Sequence, residues 1–102
     1  MVRVILVLVF AAILEVGGDA LVRRGLDASS ALPILAGALA LAVYGILVNQ
    51  SGIDFSRMMG IYIAIFFLTS QIVAFAAFRT TPAPKTLIGG TLIVIGGFVV
   101  LV

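Results

Sequence analysis

The sequence contains no cysteine and no histidine, and only 10% of its 102 residues are charged. Without cysteine, disulfides, thiolate metal sites and cysteine nucleophiles are excluded. Without histidine, the commonest metal ligand and general base is missing, which argues against hydrolytic or metal-dependent catalysis. We therefore expect a protein that is not an enzyme and that carries no metal and no other cofactor.

Basic charge is also scarce. Six basic and four acidic residues give a net charge of +2. The basic residues occur singly or as the pair Arg23-Arg24, and they form no basic stripe. We therefore expect no nucleic-acid partner.

What the sequence does have is apolar residues, which make up 64% of the chain, against roughly 45–50% in a soluble domain. A spanning helix needs about 20 apolar residues. Backbone polar groups in hydrocarbon must bond internally, and no strand-length alternation occurs, so helices are favoured. The sequence predicts an all-α integral membrane protein with one membrane domain over residues 1–102. Its four predicted spans are Val4–Val22, Ala31–Asn49, Met58–Phe78 and Leu87–Val102.

Charges and turn formers separate the spans. The first loop offers Ser29 or Ser30 as a helix cap, with Pro33 in the next turn, and the third loop holds Pro82 and Pro84. Four spans place both termini and the second loop on one side. The other side has four of the six basic residues, which favours loops one and three in the cytoplasm, although insertion in both orientations stays open. We expect a multi-pass protein of the cell (inner) membrane.

Glu15 is the first candidate for function, because it lies near the middle of the first span. An ionisable group at that depth is costly unless it faces protein, water or a counter-ion. Such a carboxylate can hold a proton and a cationic substrate in competition. Asp19 and Arg23 follow on the same helix face at intervals of four residues. Two readings of Asp19 stay open: it pairs with Arg23, or its charge tunes Glu15.

Aromatic side chains are the second set of candidates. Tyr62 and Phe66 share a face of the third span, with Met59 one turn earlier, and Tyr44 lies in the second span. Aromatic faces can hold organic cations by cation–π contact, although packing and lipid contact are commoner roles. On the same third span, Thr69, Ser70 and Gln71 are expected to bond to a neighbouring helix or to the backbone. The predicted proton- and substrate-binding residues are Glu15, Asp19, Tyr62, Gly18, Tyr44 and Met59.

Glycine pairs form a third pattern. Gly17-Gly18 lies between the two carboxylates, where it can admit a neighbouring backbone or leave room for a ligand. In the fourth span two pairs recur at seven residues, which favours close helix packing within or between subunits. Glycine is also simply common in membrane helices. The predicted dimer contacts are Gly89, Gly90, Gly96 and Gly97. A homodimer would bring two Glu15 side chains to one chamber at the depth where transporter sites commonly lie.

These residues resemble a known family. Ala12–Asp19 is similar to the first helix of small multidrug resistance transporters, which have a membrane-embedded glutamate followed three residues later by a glycine, here Gly18. Ser56–Ala64 looks closer to the YnfA-type branch. Gly90 and Gly97 resemble the fourth-helix dimer contact of the family. The resemblance covers nearly the whole chain.

The resemblance implies an antiparallel homodimer that exports small or hydrophobic cations in exchange for protons, with Glu15 of both subunits binding proton and substrate alternately. Tyr62 falls about where the family has its substrate-facing aromatic, although tryptophan is more typical there. Asp19 replaces a neutral polar residue, Met59 replaces a tyrosine, and Ile63–Phe66 lacks the glycine-rich kink of the third helix. The resemblance therefore implies an exchange mechanism, but the identity of the exported cation is not carried over from the family.

Two other functions fit the same composition. One is a non-transporting membrane subunit of a larger complex, and the other is half of a lipid-linked carrier flippase. The transporter hypothesis leads, because the chain has a lone mid-membrane glutamate and no other chemical machinery. Its expected partners are membrane lipid, protons, a small organic cation and a second copy of the chain.

Overall fold

The structure, a computed structural model, describes residues 2–102 and consists of four α-helices joined by short loops. Each helix is long and apolar enough to cross a membrane. The described part of the chain contains no strand. The prediction of an all-α, four-helix membrane protein is confirmed. The helices are α1 (Val2–Asp27), α2 (Ala31–Asn49), α3 (Phe55–Phe78) and α4 (Pro84–Leu101).

Three helices begin or end further out than the apolar runs predict. α1 continues through Arg23 and Arg24 to Asp27, which the sequence assigned to the first loop. Its 26 residues extend about 39 Å, whereas the hydrocarbon layer is about 30 Å thick. A charged last turn can therefore stay helical outside the apolar layer. α3 likewise begins with a polar turn, where the Asp54 side chain caps the helix by accepting from the Arg57 backbone N–H at 3.1 Å.

α2 packs on α1 in the opposite direction and very closely. A Cβ on Gly37 would lie 2.5 Å from the Gly18 carbonyl oxygen, and a Cβ on Gly18 would lie 2.9 Å from the Gly37 carbonyl oxygen. No side chain fits between these two backbones. Both glycines are buried, so this pair sets the distance between the helices.

α4 packs on α3 through one member of each of its glycine pairs. A Cβ on Gly90 would clash with the Phe67 ring, and one on Gly97 would clash with the Ala64 methyl group. Gly89 and Gly96 point elsewhere, since a Cβ on either would meet no atom within 4 Å. Two of the four predicted dimer contacts therefore serve packing within the chain, and the other two lie on an open face.

α1 and α3 run in the same direction and join the two hairpins, α1–α2 and α3–α4. Their shared core contains Leu8 and Ala12, both fully buried, together with Met58 and Ile61, which are 2% and 3% exposed. This core lies toward the chain start and the second loop. Toward the other end, α1 and α3 are separated by a groove. The whole molecule is flat, with Cα extents of 44 × 34 × 18 Å.

Two arginines fasten helix ends on opposite sides of the molecule. Arg57 Nη2 donates to the Leu101 carbonyl oxygen at 2.7 Å, at the end of α4. Arg24 Nη2 donates to the Ala77 carbonyl oxygen at 2.6 Å, near the end of α3. A positive charge at a helix C-terminus interacts favourably with the carbonyl groups that have no partner in the helix.

Candidate functional site

Glu15 is held by a hydrogen bond across the α1–α3 interface. The Tyr62 hydroxyl donates to Glu15 Oε1 at 2.8 Å. Tyr62 is only 3% exposed, because it packs in the core formed by Ala11, Ala12 and their neighbours. Glu15 itself is half-buried. A rigid phenol thus orients a carboxylate that remains accessible on one side.

Two further aromatic rings extend this site. The Tyr44 ring of α2 stacks on Tyr62, with centroids 5.7 Å apart and an interplanar angle of 24°. The Phe66 ring lies on the other side, 6.2 Å from Tyr62 and tilted by 47°. Tyr62 and Phe66 are one helix turn apart, which places both on the face of α3 toward α1. The carboxylate therefore stands beside a wall of three rings.

These residues surround a shallow cavity of about 170 Å³ that is open on one side. Its volume is large enough for several water molecules, at about 30 Å³ each, or for one cationic group of a ligand. The structure thus brings together four of the six predicted binding residues. The cavity is lined by Glu15, Tyr44, Met59, Tyr62, Ile63 and Phe66.

The other two predicted residues lie outside this cavity. Gly18 is buried against Gly37 of α2 and serves the helix contact described above. Asp19 lines a second cavity, the α1–α3 groove, of about 350 Å³. This groove runs toward the first and third loops. Its lining is Val16, Asp19, Ala20, Arg23 and Asp27 from α1, and Phe66, Ser70, Val73, Ala74, Phe78 and Thr80 from α3 and beyond.

Asp19 and Arg23 line the same groove without an ion pair. No basic nitrogen within residues 2–102 lies within 4.0 Å of the Asp19 carboxylate. The Arg23 guanidinium instead lies 5.9 Å from the centroid of the Phe78 ring. Arg24 approaches the same ring at 5.5 Å. The pairing of Asp19 with Arg23 that the helix spacing allows is not formed, and the guanidinium lies near the Phe78 ring at the groove mouth instead.

The family is shown by a comparison over the full chain. The family model described as "Uncharacterised BCR, YnfA/UPF0060 family" matches residues 1–102. The chain belongs to this family. The YnfA/UPF0060 family is part of the group similar to small multidrug resistance transporters, so the resemblance noted in the sequence is confirmed. Searches of curated proteins and of solved structures gave no match.

In this member of the YnfA/UPF0060 family, the hydroxyl groups of Thr69 and Ser70 are satisfied within α3 itself. Thr69 Oγ1 donates to the Ile65 carbonyl oxygen at 2.9 Å, and Ser70 Oγ donates to the Phe67 carbonyl oxygen at 2.7 Å. For these two residues the predicted bonding to backbone is confirmed. Back-bonding of this kind lets a hydroxyl lie in an apolar segment without a partner from another helix.

Several residues that line the cavities were not predicted as site residues. Among them, Phe66 and Ser70 follow Tyr62 at intervals of four residues along α3, and Phe78 lies eight residues after Ser70. Each step of four residues turns about 40° round the helix, so Tyr62, Phe66 and Ser70 form one row that turns slowly round α3. The same interval links Glu15, Asp19, Arg23 and Asp27 on α1. The four-residue interval shared by α1 and α3 was therefore the sequence signal that could have identified the unpredicted lining residues.

The chemistry open to this YnfA/UPF0060 site is that of one carboxylate with one hydroxyl donor. Glu15 can take up or release a proton, and in its charged form it can hold a cation against the aromatic wall. Within residues 2–102 no three side chains form a group able to ligate a metal ion. The arrangement is thus suited to reversible binding of a proton or a cation.

Proposed function

We propose that this protein is a proton-coupled exporter of small organic cations that works as a dimer in the cell (inner) membrane, and that it catalyses no covalent reaction. The observation that carries the proposal is the hydrogen bond from Tyr62 to Glu15 inside an open cavity with aromatic walls. Membership of a family in the small multidrug resistance group supports the same function.

Exchange of protons for cations follows if the Glu15 carboxylate binds either a proton or a cation. Protonated Glu15 is neutral and does not attract a cation. When the proton leaves, the carboxylate is charged, and a cation can be held between it and the rings of Tyr44 and Phe66. An ionised carboxylate at this depth is costly unless a cation or water accompanies it, so proton and substrate binding exclude each other.

A second copy of the chain supplies what one copy lacks. The molecule is 18 Å thick in its shortest direction, and the Glu15 cavity is open on one side. One copy therefore cannot surround a substrate. The outward faces of Gly89 and Gly96 permit close approach of another helix. Two cavities facing each other would form one chamber near the membrane midplane, where transporter sites commonly lie.

The proposal is tested by proton release from purified protein on addition of a panel of alkylammonium and arylphosphonium cations. We expect the wild type to release protons as cations bind, and Glu15→Gln to release none, since the amide neither ionises nor attracts a cation. Asp54→Asn is the matched control, because it removes the same charge from the far end of α3 while asparagine remains a good helix cap.

Tyr62→Phe sharpens the test, because it keeps the aromatic wall and deletes only the hydroxyl. Loss of one hydrogen bond to a charged group is worth about 1.5 kcal/mol, so we expect cation affinity to fall about tenfold. Proton release by Glu15→Gln equal to that of the wild type would overturn the mechanism. A stoichiometric partner protein in place of a second copy would contradict the proposed dimer.

A further inference from the structure

The Glu15 cavity and the α1–α3 groove are neighbours that share a wall. Phe66 lines both. On α1, Glu15 lines the first cavity, and Asp19, one helix turn later, lines the second. On α3, Tyr62 belongs to the first and Ser70 to the second. Two facing stripes of side chains thus lead from the end of α1 to Glu15.

Asp19 lies where a bare charge is costly. It lies eight residues before the end of α1, about 12 Å along the helix axis. Its side chain is exposed on the groove, and Arg23 is placed over the Phe78 ring instead of beside it. A carboxylate in this position requires water or a cation in the groove. The groove volume of about 350 Å³ is large enough for either.

We propose that this groove is an aqueous vestibule in which Asp19 binds a second cationic group, so that the transporter prefers organic dications. The proposal rests on the proposed function of Glu15. β-Carbons one helix turn apart are separated by about 6 Å, which matches two ammonium groups on a four-carbon linker. Phe66, the shared wall, offers an apolar surface to that linker.

The preference is measured with two ligands that differ only in charge. One is the diammonium ion of a four-carbon chain, and the other is the monoammonium ion of the same length. We expect the wild type to bind the diammonium ion at least tenfold more tightly, with Asp19→Asn lowering that ratio about tenfold. Asp54→Asn, a matched loss of charge outside both cavities, leaves the ratio as it is. No preference in the wild type, or a ratio unchanged in Asp19→Asn, overturns the proposal.

The vestibule is tested separately from transport by thiol labelling, which the absence of cysteine makes clean. Ser70→Cys lines the groove, whereas Ile72→Cys lies on the same helix with its side chain 70% exposed outside it. We expect a cationic, membrane-impermeant thiol reagent to label the first and not the second. Adding Asp19→Asn to Ser70→Cys should slow the cationic reagent severalfold relative to a neutral one.

The outcomes separate the two proposals. Equal labelling at the two positions, or labelling at neither, overturns the vestibule whatever Glu15 does. Selective labelling of Ser70→Cys with an Asp19-dependent rate supports the vestibule. If that result comes with a wild type that releases no protons to either ammonium ion, the exchange function of Glu15 has failed and the groove remains a cation site.

Discussion

The α1–α3 interface has two halves that differ on either side of Glu15. Before Glu15, α1 presents Leu8 and Ala12, which pack against Met58 in a closed core. After Glu15, the same face of α1 carries Asp19 and Arg23, and the helices enclose a groove. Charged side chains cannot be buried against an apolar helix without partners. The charge pattern of one helix therefore decides where the interface closes, and Glu15 lies at the boundary.

The largest loss of stability is expected at the close contact between α1 and α2, which lies beside the groove. In Gly37→Leu the new side chain meets the Gly18 carbonyl oxygen and the Val22 backbone, neither of which can yield. Overpacking of this kind should lower the free energy of unfolding by about 3 kcal/mol and move α1. Gly45→Leu is the control, because a Cβ there meets nothing within 4 Å. Equal loss of stability in detergent unfolding would show that α2 does not hold α1 in place.

A smaller difference should separate the two halves of the α1–α3 interface themselves. Leu8→Ala opens a cavity in the closed half, since this side chain is fully buried. We expect a loss of about 2 kcal/mol, at the low end of the range for such changes. Val73→Ala merely widens the groove and should cost about 0.5 kcal/mol or less. Comparable losses in reversible unfolding experiments would mean that the groove is packed as tightly as the core.

The smallest losses of stability should come from the two arginine side chains that donate hydrogen bonds to carbonyl groups near the ends of α3 and α4. Arg57→Gln removes a half-buried donor from the Leu101 carbonyl and should cost about 1 kcal/mol. Arg24→Gln removes an exposed donor from Ala77 at the groove end and should cost less. Hydrogen exchange should locate the loss at the end of α4 in the first variant and at the end of α3 in the second. Faster exchange at both helix ends in either variant would contradict the claim that the two arginines stabilise separate helix ends.

Much of the fold was predictable, because the membrane limits the choices. Four apolar runs of about 20 residues admit only helices, and the chain order then sets alternating directions. The helix ends were less predictable. The sequence assigned Arg23 and Arg24 to a loop because hydropathy marks the apolar layer, whereas the backbone of α1 stays helical to Asp27 beyond it.

The Glu15 site was predictable in its members and less so in its arrangement. Glu15, Tyr44, Met59 and Tyr62 come from three helices, and they were predicted from residue type, from helix spacing and from the family resemblance. Gly18 shows the limit, because nothing in its own helix says that Gly37 packs against it. Asp19 shows another limit, since its spacing from Arg23 favours an ion pair, whereas in the structure the Arg23 guanidinium lies near the Phe78 ring. Contacts between helices thus decide which partner a side chain meets, where the spacing within one helix allows more than one.

The order of contacts along the chain bears on how the protein is assembled. Each hairpin is joined by a short loop and packs on itself, so each can enter the bilayer as a unit before the two meet. The hydrogen bond between Glu15 and Tyr62, and the stack of Tyr44 on Tyr62, both cross from one hairpin to the other. The Glu15 cavity is therefore complete only when the two hairpins have docked. Until the α3–α4 hairpin has been synthesised and has docked, Glu15 of the α1–α2 hairpin lacks its hydrogen bond from Tyr62.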